Sequence, residues 1–254
     1  MRILLTNDDG IHAPGLKSLE NIAREISDDV WIVAPETDQS GASHSLSLND
    51  PLRLREVSER HFAVRGTPTD CVIMGVAHIM NGVRPDLVLS GVNRGHNLAE
   101  DVTYSGTIAG AIEGATLGIR SIAMSQSYGF QADRKLRWET AEQLGPAIID
   151  KLLSEGFPPA TFFNINFPDA DPDKVSGTRI TSQGNRDQEL LRIEERKDGR
   201  GNPYFWYGFN RTPSSPEKGT DLWAIYNGYV SVTPLTLGFT DYDMLKQLET
   251  HFPE

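Results

Sequence analysis

Three observations predict an α/β fold, a parallel sheet with helices on both faces. Short apolar runs alternate with stretches of helical period, the connections between them are short, and several runs are continuous rather than alternating in polarity. A strand covered on both faces reads that way, and βαβ units with right-handed crossovers follow from the alternation. After about residue 180 the pattern changes. We therefore expect a catalytic-sized domain over 1–182 and a smaller C-terminal part over 183–254, with a β-hairpin arm.

The first run, Arg2 to Thr6, ends in Asn7-Asp8-Asp9-Gly10; past Pro14, the residues Leu16, Leu19, Ile22, Ala23 and Ile26 recur at helical spacing. A second strand, Val30 to Ala34, stops at Pro35 and opens into a polar loop, Glu36 to Ser47. Gly66-Thr67-Pro68-Thr69-Asp70 starts a helix with a capping residue and a proline in its first turn, leading into Cys71 to Met80. Asp86 to Ser90 is the next buried strand. A long loop to Tyr104 follows, then a helix from Ser105 to about Gly118 and a strand from Ser121 to Ser125. Later, Gln188 to Arg196 and Tyr204 to Phe209 read as the two arms of a hairpin around Asp198-Gly199-Arg200-Gly201-Asn202-Pro203. A linker from Arg211 to Lys218 precedes a short helix near Asp221 to Tyr226. A strand from Tyr229 to Thr233, stopped by Pro234, and a helix near Tyr242 to His251 complete the chain.

The chain of 254 residues carries 24 Lys+Arg against 35 Asp+Glu, a net charge of -11, and is 38% hydrophobic. An acidic chain of this kind is a poor duplex nucleic-acid binder, because such binding relies on neutralising many phosphates. No apolar stretch is long enough for a membrane span. The single cysteine, Cys71, has no intrachain disulfide partner, and the apolar start is interrupted too early for a signal peptide, so a cytoplasmic protein is expected.

In an open parallel sheet, ligands bind beyond the carboxyl ends of the strands. Three of those ends carry unusual polar runs: Asn7-Asp8-Asp9-Gly10, Asp38-Gln39-Ser40-Gly41 and Ser90-Gly91-Val92-Asn93. Adjacent carboxylates repel unless a cation lies between them, and an all-oxygen set suits Mg²⁺, Mn²⁺ or Ca²⁺ more than Zn²⁺. The same acids would equally serve to cap the following helix. The helix start Ser105-Gly106-Thr107 offers free backbone amides and two hydroxyls, an anion site or an ordinary serine cap. Glycines 106, 110, 114 and 118 repeat every four residues on that helix, a spacing that calls for close packing on the sheet. His12, His44 and His96 lie in the three loops and could touch a phosphate or simply be solvated. Cys71 reads as core. The glycine fingerprints of dinucleotide enzymes and P-loop proteins and the serine-hydrolase elbow are all missing, as is a DxDxT phosphoaspartate signature.

The runs RILLTNDDGIHAPGL, APETDQSGAS, GTPTDCV, LVLSGVNRGHNLAEDVTYSGTIAGAIEGA and GYVSVTPL, in this order, closely resemble the stationary-phase survival protein SurE family across nearly the whole chain. The resemblance implies a Rossmann-like N-terminal domain and a C-terminal part that builds a dimer or tetramer. It also implies a metal-dependent 5'/3'-nucleotidase acting on nucleoside monophosphates and, in some members, on short polyphosphate. Carried over by motif, one divalent ion per subunit, Mg²⁺ or Mn²⁺, would be held by Asp8, Asp9, Ser40 and Asn93. Asn97, Ser105, Gly106 and Thr107 would surround the phosphate, and Asp8 or Asp9 would serve catalysis. A nucleotide-sensing module without turnover, a phosphoaspartate phosphatase and a dinucleotide oxidoreductase are the alternatives.

Overall fold

The structure, a computed structural model, describes residues 1–128, 136–186, 191–209 and 215–252. Its centre is a run of parallel strands. These are β1 (Arg2–Thr6), β2 (Asp29–Pro35), β4 (His61–Arg65), β5 (Leu87–Arg94), β6 (Arg120–Gln126) and β7 (Thr161–Phe167). With β3 (Arg53–Ser58), β8 (Thr178–Ile180) and β11 (Val230–Thr236) they form one sheet of nine strands in the order β3-β4-β2-β1-β5-β6-β7-β11-β8. Only β3 on β4 and β11 on β7 are antiparallel. The sheet is mixed at its edges and parallel where β2, β1 and β5 stand side by side, so their carboxyl ends share one rim, as expected.

The alternation of side chains along β1 divides the core. Ile3 and Leu5 face one way, into a layer with Leu16, Leu19 and Ile22 of α1 (Pro14–Ile26) and Ala141, Ile149 and Leu152 of α4 (Trp138–Glu155). Leu4 faces the other way, toward Cys71 and Val72 of α2 (Pro68–Met74). Ile108 and Ala111 of α3 (Gly106–Thr116) pack with Ala123 and Phe162. Helices therefore cover both faces, and the continuous apolar runs are explained. Cys71 is buried core, its thiol pushed up by desolvation.

Several boundaries move for physical reasons. The strand expected to stop at Ser90 continues to Arg94 through a bulge, because the register with β6 shifts between Ser90 and Asn93; bulges of this kind re-aim side chains beside functional sites. The loop to Tyr104 contains a 3₁₀ turn over Ala99–Thr103, and the helix expected through Met80 gives way to a π turn over Gly75–Ile79. The strand expected to stop at Pro234 runs through it. Beyond Val232, β8 no longer pairs with β11, so the missing N-H of Pro234 breaks no ladder on that side.

The segment after residue 182 is only partly separate. Its strand β11 completes the main sheet between β7 and β8, and α5 (Asp221–Tyr226) buries Leu222 and Ala224. The hairpin of β9 (Leu191–Lys197) and β10 (Pro203–Phe209) forms its own two-stranded sheet, and α6 (Tyr242–Glu249) buries none of its residues. Parts of the expected arm and linker, residues 188–190 and 211–214, lie outside the described residues. Among the described residues no helix is long and apolar enough to cross a membrane.

Candidate active site at the carboxyl rim of the sheet

Residues 7–13 leave β1 as a tight loop. Asn7 Nδ2 donates to Gly10 O (3.0 Å), Ile11 N to Pro35 O at the end of β2 (2.8 Å), and Gly10 itself adopts φ +101°, which a glycine takes without a side-chain clash. The turn keeps Asp8 and Asp9 on the rim. They do not cap the next helix: α1 begins after Ala13 with Pro14 in its first turn and no side-chain cap. The capping alternative is thereby excluded.

Asp8 is buried, and Thr107 Oγ1 donates to its Oδ1 at 2.6 Å. A Cβ on Gly106 would lie 2.7 Å from Asp8 Cβ, so the start of α3 presses directly on this acid and only glycine permits it. Burial pushes the Asp8 carboxyl up to about 6, against the pull of the Thr107 hydroxyl and with the Asp9 charge adding to the rise. Asp9, half-buried, accepts from Arg94 N at 3.2 Å; desolvation raises it as well, with Asp38 as a further acidic neighbour. Two carboxyls that resist ionisation side by side are short of positive charge.

The other expected ligands arrive on neighbouring segments. Gln39 N donates to Asp8 O at 2.8 Å, which docks the loop carrying the exposed Ser40 beside the acid pair. Asn93 lies on β5 next to the amide that binds Asp9. Its Nδ2 donates to Gly95 O at 3.1 Å, fixing the amide with its oxygen left over. Asn7 Oδ1 and Ser90 Oγ, at the same strand ends, are buried oxygens without a partner among the described residues. Nor do those residues contain a cluster of three or more His, Cys, Asp or Glu side chains suited to a metal. A set of two carboxylates, an amide oxygen and a hydroxyl is a different chemistry, and these residues fit a hard divalent cation.

The residues expected around a phosphate are bonded in more detail than the sequence offered. Ser105 is an N-cap, its Oγ accepting from Ile108 N at 3.1 Å, and Thr107 Oγ1 is engaged by Asp8. What α3 offers an anion is therefore the first-turn amide of Gly106, which has no intrahelical acceptor, rather than two free hydroxyls, since the Thr107 amide also turns to the Asp8 carboxyl. Asn97 is buried and held on every side. Its N-H donates to Asn166 Oδ1 (2.8 Å) and its Nδ2 to Ser125 Oγ (2.9 Å), while its carbonyl accepts from Asn164 Nδ2 (2.8 Å) and Asn166 Nδ2 (3.2 Å). The sequence reading missed Asn164 and Asn166. Their signal was two amides at alternate positions of an otherwise apolar run, which places both on one face of a strand with nothing local to bond.

The three loop histidines part company. His12 lines a cavity of about 190 Å³ with Lys17, Glu20 and His61. His44 Nε2 lies 2.9 Å from Glu113 Oε2. Burial, reinforced by the Arg186 charge, holds His96 down at about 4, so it stays neutral near neutral pH.

The profile described as Survival protein SurE matches residues 3–190. The chain is 61% identical over 252 residues to a protein of Methylorubrum extorquens (strain PA1) named 5'-nucleotidase SurE, covering 99% of each. It is 64% identical over 243 residues to one of the same name from Bradyrhizobium sp. (strain ORS 278), covering 95% of each. Among solved structures, the crystal structure of the SurE protein from Aquifex aeolicus is similar with a TM-score of 0.83, at 39% identity and with 99% of each chain covered.

Proposed function

The chain belongs to the Survival protein SurE family, and on that premise we propose that it is a nucleotidase, hydrolysing nucleoside monophosphates to nucleoside and phosphate with the help of one divalent ion. The 5' ester is the one named for its relatives; activity on 3' esters and short polyphosphate extends the proposal. Asp8, Asp9, Ser40 and Asn93 would hold Mg²⁺ or Mn²⁺. The bound cation supplies Lewis acidity, neutralising phosphoryl oxygen charge and lowering the pKa of a water.

The chain's own residues divide the remaining work. The Gly106 amide, at the positive end of the α3 dipole, orients the phosphate and shares its charge as the ester oxygen leaves. Thr107 holds the Asp8 carboxylate in one position, which suits Asp8 as a fixed ligand. Asp9, less buried and bonded to one amide, is the acid that orients and deprotonates the attacking water. Asn97 would line the phosphate site as a rigid wall, its donors held by Asn166 and Ser125 and its carbonyl by Asn164. The same clamp argues against Asp8 as a nucleophile, since its Oδ1 is occupied and the carboxyl is buried.

The observation that carries this reading is the 2.6 Å hydrogen bond from Thr107 to Asp8, which joins the anion-binding helix terminus to the acid pair. The test is phosphate release from a panel of 5' and 3' nucleotides and polyphosphate, in EDTA and after adding back Mg²⁺, Mn²⁺ or Zn²⁺. Release from 5' monophosphates that stops in EDTA and returns with Mn²⁺ or Mg²⁺ is expected. Undiminished release in EDTA overturns the metal role, and no release with any metal leaves a nucleotide sensor. The proposal includes assembly through residues 183–254 into a dimer or tetramer, supported by the aromatic residues exposed on β10.

A further inference from the structure

Glu113 is out of place on α3. The helix packs on the sheet with Ile108, Ala109 and Ala111 buried around it, yet Glu113 is only 8% exposed. A carboxylate taken out of water needs a partner, and its only hydrogen-bond partner among the described residues is His44, with Nε2 2.9 Å from Oε2. An imidazole N–H at Nε2 and a carboxyl oxygen are a matched donor and acceptor.

His44 belongs to the loop that carries Ser40, and most of that loop is exposed. On one side of Ser40 the loop is fixed by Gln39 N to Asp8 O. On the other side, Ser43 donates from its amide to Tyr104 O (3.2 Å) and from Oγ to Thr103 O (2.7 Å). Ser43 adopts φ +53°, a left-handed conformation that a serine keeps only when neighbours hold it. Thr103, Tyr104 and Glu113 all belong to the unit that presents Ser105 to Thr107. The loop is thus tied at Ser43 to the segment just before α3 and at His44 to the body of the helix, two turns in.

We propose that His44 and Glu113 form a latch that positions the Ser40 loop against the acid pair. Neither touches the reacting atoms; both are positioning residues acting through Ser40. The inference rests on the reading of Ser40 as a ligand, and the experiment separates the two.

Hydrogen exchange of the metal-free protein across residues 36–48 reads the latch directly, and calorimetric Mn²⁺ affinity reads its consequence. In His44→Ala we expect loop exchange about tenfold faster and Mn²⁺ binding about tenfold weaker, the size of one lost side-chain hydrogen bond. Turnover should return to within about threefold of the parent at saturating Mn²⁺, on the argument that the latch stabilises a geometry the ion itself also favours. His44→Gln, whose amide sits where Nε2 was, and Glu113→Gln, which keeps an acceptor, should restore both readouts to within about twofold. Unchanged loop exchange in His44→Ala overturns the proposal, as does faster exchange with full Mn²⁺ affinity while Ser40→Ala weakens binding. If Ser40→Ala also keeps full affinity, the failure lies in the ligand set and takes this inference with it.

Discussion

At the scale of single residues, the rim is defined by groups whose local rules are broken. Asp8 is buried beside a second acid with a hydroxyl as its side-chain partner, and burial pushes its carboxyl up to about 6 from 3.8. A folded-state pKa above the unfolded one means the cation-free protein is destabilised by ionising Asp8. The stability is intact below about pH 4 and falls as pH rises through about 6, by on the order of 3 kcal/mol. Asp8→Asn should therefore raise the melting temperature in EDTA at pH 8 and leave it nearly unchanged at pH 4, while lowering turnover with Mn²⁺ by about 100-fold or more. A thermal gain of equal size at both pH values would mean the substitution acts through packing and not through charge. Asp9→Asn should lower turnover similarly with a smaller gain in stability, since Asp9 is less buried.

The element that decides the site is α3, a helix whose glycine repeat trades propensity for proximity. A Cβ at Gly110 would lie 2.6 Å from Ser90 Oγ and 2.7 Å from Thr6 Cγ2, and one at Gly114 would lie 2.3 Å from Ser121 Oγ. The approach brings the helix terminus down onto Asp8. Alanine at 110 would gain up to about 1 kcal/mol in helix propensity but overpack the sheet contact at a cost of about 1–3 kcal/mol. Gly110→Ala should therefore be less stable by about 1 kcal/mol in denaturant melts and should lose activity as the terminus lifts; a variant more stable than the parent would contradict the close-packing argument. The bulge in β5 works at the same scale, since it carries Asn93 and the Asp9-binding amide of Arg94 out to the rim.

For the whole molecule, the exposed area of 14,099 Å² exceeds the roughly 11,000 Å² expected of a compact chain of this size. Phe205, Trp206 and Tyr207 on the hairpin are 59%, 58% and 73% exposed, and α6 buries no residue. A two-stranded ribbon that carries such side chains into water is marginal alone. Pairing it with a second copy would cover both its edge and its aromatics. Deleting residues 188–208 behind a short Gly/Ser bridge should leave a folded sheet domain of smaller oligomeric mass by light scattering. A parent that is monomeric at micromolar concentration, or a deletion variant that keeps the parent's mass, would show that the arm packs on its own subunit.

The same chain end also reaches back into the site. Asp221 on α5, fully buried, accepts from the amides of Ala99, Gly184 and Leu222 at 2.7 to 2.9 Å, and so braces the segment that follows Asn97. Local signals sufficed for much of this protein. Apolar period and turn chemistry gave the αβ alternation, the three polar runs of the rim and the start of α3, and the long motifs gave the family, because each of these is written in neighbouring residues. Other features had no local signature. The capping or metal role of Asp8 and Asp9, the engagement of Thr107, the Asn164 and Asn166 brace and the pairing of His44 with Glu113 depend on which strands and loops become neighbours. Partners 69 or 99 residues apart in sequence leave no periodicity to read, and only the packed sheet brings their polar atoms within bonding distance.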